Sequence, residues 1–208
     1  NFKCRMCGDM LSSSWEAESR KEKTWNKYSQ PWMASPLREQ IKKFQDTQVV
    51  EEFTNAVETK TIKEIYWCGG EPLMWEIHWK AMQRIIELGF AKEVKGIKLF
   101  DLLPQFQDWQ VCSSLDGTGE VGEYIRDGLD YKQWLENFKE GLAVAKTSRE
   151  MRLDYTLTMP GLLELKNMFD LSQELNVELL TKVMFTFSPT EVLSPLALPR
   201  ELLCTIID

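Results

Sequence analysis

Apolar positions along the chain fall into two spacings that take turns, one of period two and one of three to four residues, as expected for strands alternating with helices. Pro36 suits the first turn of a helix, and Leu37, Ile41 and Phe44, followed by Val50, Phe53 and Val57, continue a helical stripe. Ile62 to Trp67 is a short run of β-branched and aromatic residues, the pattern of a buried strand, after which Ile77, Ala81, Ile85 and Leu88 return to helical spacing. Trp109 to Leu115 reads as a second strand. Val94 to Leu99 has strand character too, but only about ten residues separate it from that strand, fewer than a parallel crossover needs. Leu99, Leu102, Leu103 and Phe106 form one helical face interrupted by Pro104, so a short helix is the preferred reading there. Trp134, Phe138, Leu142 and Ala145 mark an amphipathic helix. Leu153, Tyr155, Leu157 and Met159 alternate with Asp154, Thr156 and Thr158, giving a strand with one polar face that stops at Pro160. Leu165, Phe169 and Leu175 carry another helix, Leu180 to Phe187 the last strand, and Pro199 opens a final helix. Ahead of all these, Gly8 to Gln30 is polar and Ser-rich, with Ser12 to Ser14 placed to cap a short helix before Trp15.

Alternating strands and helices predict an α/β fold built from crossover units. The 208 residues, 43% of them hydrophobic, suffice for one sizeable core, so residues 1–208 are expected to form a single domain. A net charge of -7 and a pI near 5.0 disfavour nucleic acid as an obligatory partner, because phosphate binding leans on clustered Lys and Arg. Arg20 to Lys23 reads as a solvated helix face. No apolar run approaches the roughly 20 residues of a membrane span, and a cytoplasmic location is expected. Cys4, Cys7, Cys68, Cys112 and Cys204 are an odd, scattered set, unlike a disulfide framework and suited to a reducing compartment.

Three stretches carry candidate chemistry. Trp67 to Met74, W-C-G-G-E-P-L-M, falls at a strand-to-helix turn: Gly69 and Gly70 allow close backbone approach, Glu71 sets a carboxylate at the strand's carboxyl end, and Pro72 fixes φ. Ligands bind at that end of the strands in α/β folds, although a tight turn with Glu71 at a helix start is the alternative. Ser113 to Gly117, S-S-L-D-G, ends the next strand with a hydroxyl and a carboxylate; Asp116-Gly117 is equally an ordinary turn dipeptide. Cys4 and Cys7 form a C-x-x-C whose thiolates can reach one metal or cluster, or act as a redox pair. Cys68 reads as a small buried hydrophobe and His78 as a helix-surface residue.

Taken together, C-x-x-C, G-G-E-P, S-L-D-G and the Tyr124 to Arg126 segment resemble the radical S-adenosylmethionine superfamily, in particular its twitch-bearing subgroup, over nearly the whole chain. The resemblance implies a partial (β/α)6 TIM-like barrel. It puts the first strand and the first cysteine of the C-x-x-x-C-x-x-C pattern ahead of Asn1, the third strand missing between Val94 and Phe100, and any twitch extension or auxiliary-cluster cysteines beyond Asp208. It further implies a 4Fe-4S cluster on Cys4 and Cys7, with Met6 shielding it. Gly69, Gly70 and Glu71 are expected on the methionine part of S-adenosylmethionine, and Ser114, Asp116 and Thr156 on its adenosine part. A reduced flavodoxin or ferredoxin would donate the electron, and the expected activity is reductive cleavage to a 5'-deoxyadenosyl radical that abstracts hydrogen from a peptide or small molecule. Tyr124 to Arg126 would form a loop over the barrel mouth, with Arg126 a substrate or cofactor clamp or an ion-pair partner of Asp127 or Asp130. Two other classes stay open. One is an inactive barrel serving as a binding scaffold; the other is a zinc module, for which only Cys68, Cys112, Cys204 and His78 could complete the ligands.

Overall fold

The structure, a computed structural model, describes residues 3–5, 7, 12–23, 36–68, 72–89, 99–184 and 193–207. In chain order the elements are β1 (Lys3–Cys4), α1 (Ser13–Lys21), α2 (Leu37–Phe44), α3 (Val50–Glu58), α4 (Glu76–Glu87) and α5 (Leu99–Leu102). They continue with β2 (Val111–Ser114), α6 (Gly119–Ile125), β3 (Arg126–Asp127), α7 (Tyr131–Val144), β4 (Met151–Leu157), α8 (Met159–Leu162), α9 (Leu165–Leu175), β5 (Glu178–Val183) and α10 (Arg200–Ile207). Two compact units result, one of residues 1–17 with 108–208 and the other of residues 18–107.

In the first unit β2, β4 and β5 form a parallel sheet in that order, with Ser114 opposite Asp154 and Thr156 opposite Lys182. The alternation seen in the sequence is a real two-sided pleat. Met151, Leu153 and Tyr155 are buried on one face, where Trp134 of α7 donates its indole N–H to Ser113 Oγ at 3.0 Å. The opposite face is polar, carrying Ser114, Arg152, Asp154, Thr156 and Lys182, with an Arg152–Asp154 ion pair at 2.8 Å. Helix starts follow their caps: Asp130 accepts from Gln133 N–H at 2.9 Å ahead of α7, and Thr158 from Gly161 N–H at 3.0 Å ahead of α8. The fold is thus α/β, but among the described residues the sheet stays open and no barrel closes.

The second unit is helical. Met82, Ile86 and Leu102 make its buried centre, with Trp79, Leu99, Leu103 and Phe106 against it. Arg84 of α4 clamps Glu58 at the end of α3 through two bonds of 2.6 and 2.8 Å. The α2–α3 stripe is one continuous helix with a π turn at Gln45–Val49. Phe44 and Val50 are six residues apart, a spacing that does not keep one α-helical face, and the π turn lies between them. Leu37, Ile41 and Phe44 are nevertheless exposed, while Val57 is buried.

Three expectations need correcting here. Residues 62–67 form no strand: Trp67 instead packs edge-on against Phe53, Trp75 and His78, and no ladder partner exists for this segment among the described residues. Cys68 is exposed rather than buried. His78 is only 3% exposed, because the buried face of α4 runs through His78, Ala81, Met82, Ile85 and Ile86 and not along Ile77 and Leu88. The proposed strand at Val94 lies outside the described residues up to Lys98, and Leu99 begins α5, consistent with the helical reading.

His78 sits between Trp67 at 4.5 Å and Trp79 at 5.2 Å, with neither ring nitrogen hydrogen-bonded among the described residues. Burial pushes its pKa below the ordinary histidine value of about 6.5. Below that pH the unfolded chain takes up a proton that the folded one resists, so stability falls as pH drops from about 6.5 toward the lowered native value. Urea unfolding followed by tryptophan fluorescence at pH 7.5 and 5.5 is expected to show this loss, and His78→Phe to flatten it.

Candidate functional site

The site starts from the two-residue antiparallel ladder of β1 on β3, in which Lys3 faces Asp127 and Cys4 faces Arg126. The ladder is short, so side chains reinforce it. Trp15 of α1 donates its indole N–H to Cys4 O at 2.8 Å, and Cys7 N–H turns back to the same oxygen at 2.9 Å. Arg5 donates its backbone N–H to Ile125 O at 2.8 Å and its Nε–H to Tyr124 O at 2.6 Å, with its guanidinium over the Tyr124 ring. These contacts fold the C-x-x-C back on itself and place the two thiols close enough for each to affect the other's ionisation.

From the sheet side, S-S-L-D-G delivers Asp116. After Ser114 the chain leaves the ladder, with Leu115 N–H still bonded to Asp154 O at 3.1 Å. The Asp116 carboxylate then stands in for the next strand oxygen, its Oδ1 accepting Thr156 N–H at 2.8 Å. Its Oδ2 lies 2.7 Å from Arg126 Nε, although the guanidinium N–H is not aimed squarely at it, so the contact is an ion pair more than a directed hydrogen bond. Asp116 has no exposed surface and the Arg126 side chain only 14%. Arg126 Nη1 also reaches Cys4 Sγ at 3.6 Å. An unbroken series of contacts therefore runs from the carboxyl end of β4 through Asp116 and Arg126 to Cys4.

The two thiols titrate as a pair. The neighbouring Cys4 thiol, with help from Arg126, lowers Cys7 to about 7, while Cys7 and burial push Cys4 well up. One proton leaves easily and the second is held.

Among the residues expected at the site, Cys4, Cys7, Asp116 and Thr156 are brought together, and Ser114 lies on the polar face of the sheet near Thr156. Met6, Gly69, Gly70 and Glu71 lie outside the described residues. Asp116 is committed to protein groups on both oxygens, so a ligand hydroxyl meets Ser114 or Thr156 before it meets this carboxylate. Arg126 pairs with Asp116 and not with Asp127 or Asp130, and Tyr124 to Arg126 is the end of α6 and the start of β3 rather than a loop. Trp15 was legible only as a residue after helix caps; nothing local in the sequence signals its bond to Cys4. A groove of about 820 Å³ runs along α9 and β5, lined by Leu162, Phe169, Leu179 and Thr181 among others, and contains none of these site residues.

Among the described residues no three His, Cys, Asp or Glu side chains converge as a metal site, all five cysteines are free, and no helix is long and apolar enough to cross a membrane. Neither a family model, nor a curated protein, nor a solved structure matches this chain.

The turn that presents Asp116 depends on Gly122. A Cβ there would run into the Gly117 carbonyl, a backbone group that cannot swing aside, with the Leu129 side chain also within contact distance. Gly122→Ala is expected to cost about 1–3 kcal/mol, the range for overpacking a tight site. Chemical denaturation checks this, with exposed Glu120→Ala as a control expected within about 0.5 kcal/mol of the parent.

Proposed function

We propose that the chain is a radical S-adenosylmethionine domain in which Cys4 and Cys7 hold a 4Fe-4S cluster. The observation that carries this reading is the meeting of the C-x-x-C thiols with the S-S-L-D-G carboxylate, through Arg126, at the carboxyl ends of parallel strands, where α/β folds bind ligands. The donor chemistry fits the group. Two soft ligands sit on one turn, the first proton of the pair leaves near neutral pH, and a guanidinium offsets the thiolate charge. The reading requires a third thiolate, expected one residue ahead of Asn1. When bound, such a cluster supplies the electron for reductive cleavage of S-adenosylmethionine to a 5'-deoxyadenosyl radical.

The chain's own residues then divide the remaining work. Trp15 and the β1–β3 ladder fix the cysteine turn, while Ser114 and Thr156 offer hydroxyls to ribose from the polar face of the sheet. Asp116 positions Arg126 instead of touching ligand. Gly69, Gly70 and Glu71 would receive the methionine part, and Met6 would shield the cluster. A reduced flavodoxin or ferredoxin is the proposed donor and a peptide or small molecule the substrate, in the cytoplasm. A second reading, an inactive barrel-like scaffold, is favoured by the open three-stranded sheet.

Anaerobic iron-sulfur reconstitution of a chain extended upstream of Asn1, with electron paramagnetic resonance of the reduced protein, separates the two. A four-iron signal that changes on adding S-adenosylmethionine and is lost in Cys4→Ala/Cys7→Ala is expected. A protein that folds but takes up no cluster would overturn the enzyme reading and leave the scaffold.

A further inference from the structure

The helix that runs from Leu37 through the π turn to Glu58 is divided both in charge and in packing. Its first half, Leu37–Phe44, carries Arg38, Lys42 and Lys43 against Glu39, whereas from Gln45 to Glu58 it carries Asp46, Glu51, Glu52 and Glu58 and no cation. Glu58 is taken by Arg84, but Lys42, Lys43, Asp46 and Glu51 are exposed and make no ion pair among the described residues. Past the π turn, Val57 is buried and Phe53 packs edge-on against Trp67, so α3 belongs to the core of its unit. Ahead of it every residue from Leu37 to Gln48 is exposed, including the apolar stripe Leu37, Ile41 and Phe44. An apolar stripe bordered by charge and left in solvent is the pattern of an interaction surface. An anionic membrane fits it poorly, since what attracts Lys42 and Lys43 repels Asp46, Glu51 and Glu52 one to two turns further on. A second copy of the same helix, run antiparallel, supplies the opposite charge to both halves. We infer that this helix is a self-association surface on which two copies of the chain pair antiparallel about a two-fold axis near Phe44. In that register Phe44 stacks on its copy, Lys42 of each chain lies opposite the partner's Asp46, and Arg38 comes alongside the partner's Glu51. A parallel pair sets cation on cation and anion on anion, so charge selects the direction. Each chain contributes one helix of about 33 Å, less than an obligate interface uses, so the dimer is weak and salt-sensitive.

Sedimentation equilibrium of the full chain, across a concentration series up to about 1 mM, reads the dimer directly. Reducing conditions keep the exposed Cys68 and Cys204 from cross-linking. Association is expected at about 50 mM salt and is expected to fall at about 500 mM. Lys42→Glu/Lys43→Glu makes the first half of the helix acidic like the second, and Asp46→Lys/Glu51→Lys makes the second half basic like the first. Each is expected to weaken self-association at least about tenfold, because attractive pairs become repulsive at both ends of the contact. An equimolar mixture of the two is expected to form a mixed dimer, and a chain carrying all four reversals to recover self-association. All four positions are exposed, so circular dichroism is expected to show helix content unchanged, and either reversal decides alone against the parent should the other not fold. A parent that stays monomeric throughout overturns the inference, and its co-sedimentation with phosphatidylserine vesicles would name a lipid surface as the occupant instead. A parent dimer that a folded reversal leaves as tight is held by another surface and also overturns it, as do two folded reversed chains that form no mixed dimer.

Discussion

The Asp116–Arg126 ion pair is the constraint on which the candidate site depends. It is the link that joins a parallel sheet, whose order is set by hydrophobic burial, to a two-residue ladder too short to hold its own register. Burying two charges is costly, and such a pair breaks even only where hydrogen bonds complete it. Here Thr156 N–H completes the carboxylate, and the Cys4 sulfur lies against the guanidinium. The pair therefore fixes geometry more than it adds stability, a role attested for buried charges that specify one arrangement among several.

The layers around it follow from ordinary packing. Tyr155, Leu153 and Met151 close one face of the sheet, α7 and α9 cross over between its strands, and the face toward Ser114 and Thr156 is left polar. Thr118, which opens α6, gives both its N–H and its hydroxyl to Glu164 at the start of α9, at 3.0 and 2.6 Å. The loops after β2 and β4 are thereby tied to each other beside Asp116. A rigid scaffold carrying polar loops at one end is the general way α/β folds place chemistry.

Much of the fold was legible because it follows local periodicity. The Trp134 stripe gave α7, the alternation around Tyr155 gave β4, and Pro199 marked the start of α10. The failures are physical ones. Ile62 to Trp67 has strand composition, but composition cannot supply a ladder partner, and Trp67 is spent on an aromatic cluster. His78 was placed on the wrong face of α4 because the stripes through Ile77 and through His78 differ by one residue, and only tertiary packing chooses between them. Motifs found Cys4, Cys7 and Asp116 separately. Their connection through Arg126 was hidden because Asp127 and Asp130 are nearer in sequence, while the fold makes Asp116 nearer in space.

The most direct test of that connection is a double-mutant cycle in urea on Asp116→Asn, Arg126→Gln and the two combined. Residues in one ion-pair network couple by about 0.5–3 kcal/mol, and a coupling of at least about 1 kcal/mol is predicted, with the double variant less destabilised than the sum of the singles. Effects that add to within about 0.3 kcal/mol would contradict the account, since the sheet and the cysteine turn would then be held together by something other than this pair.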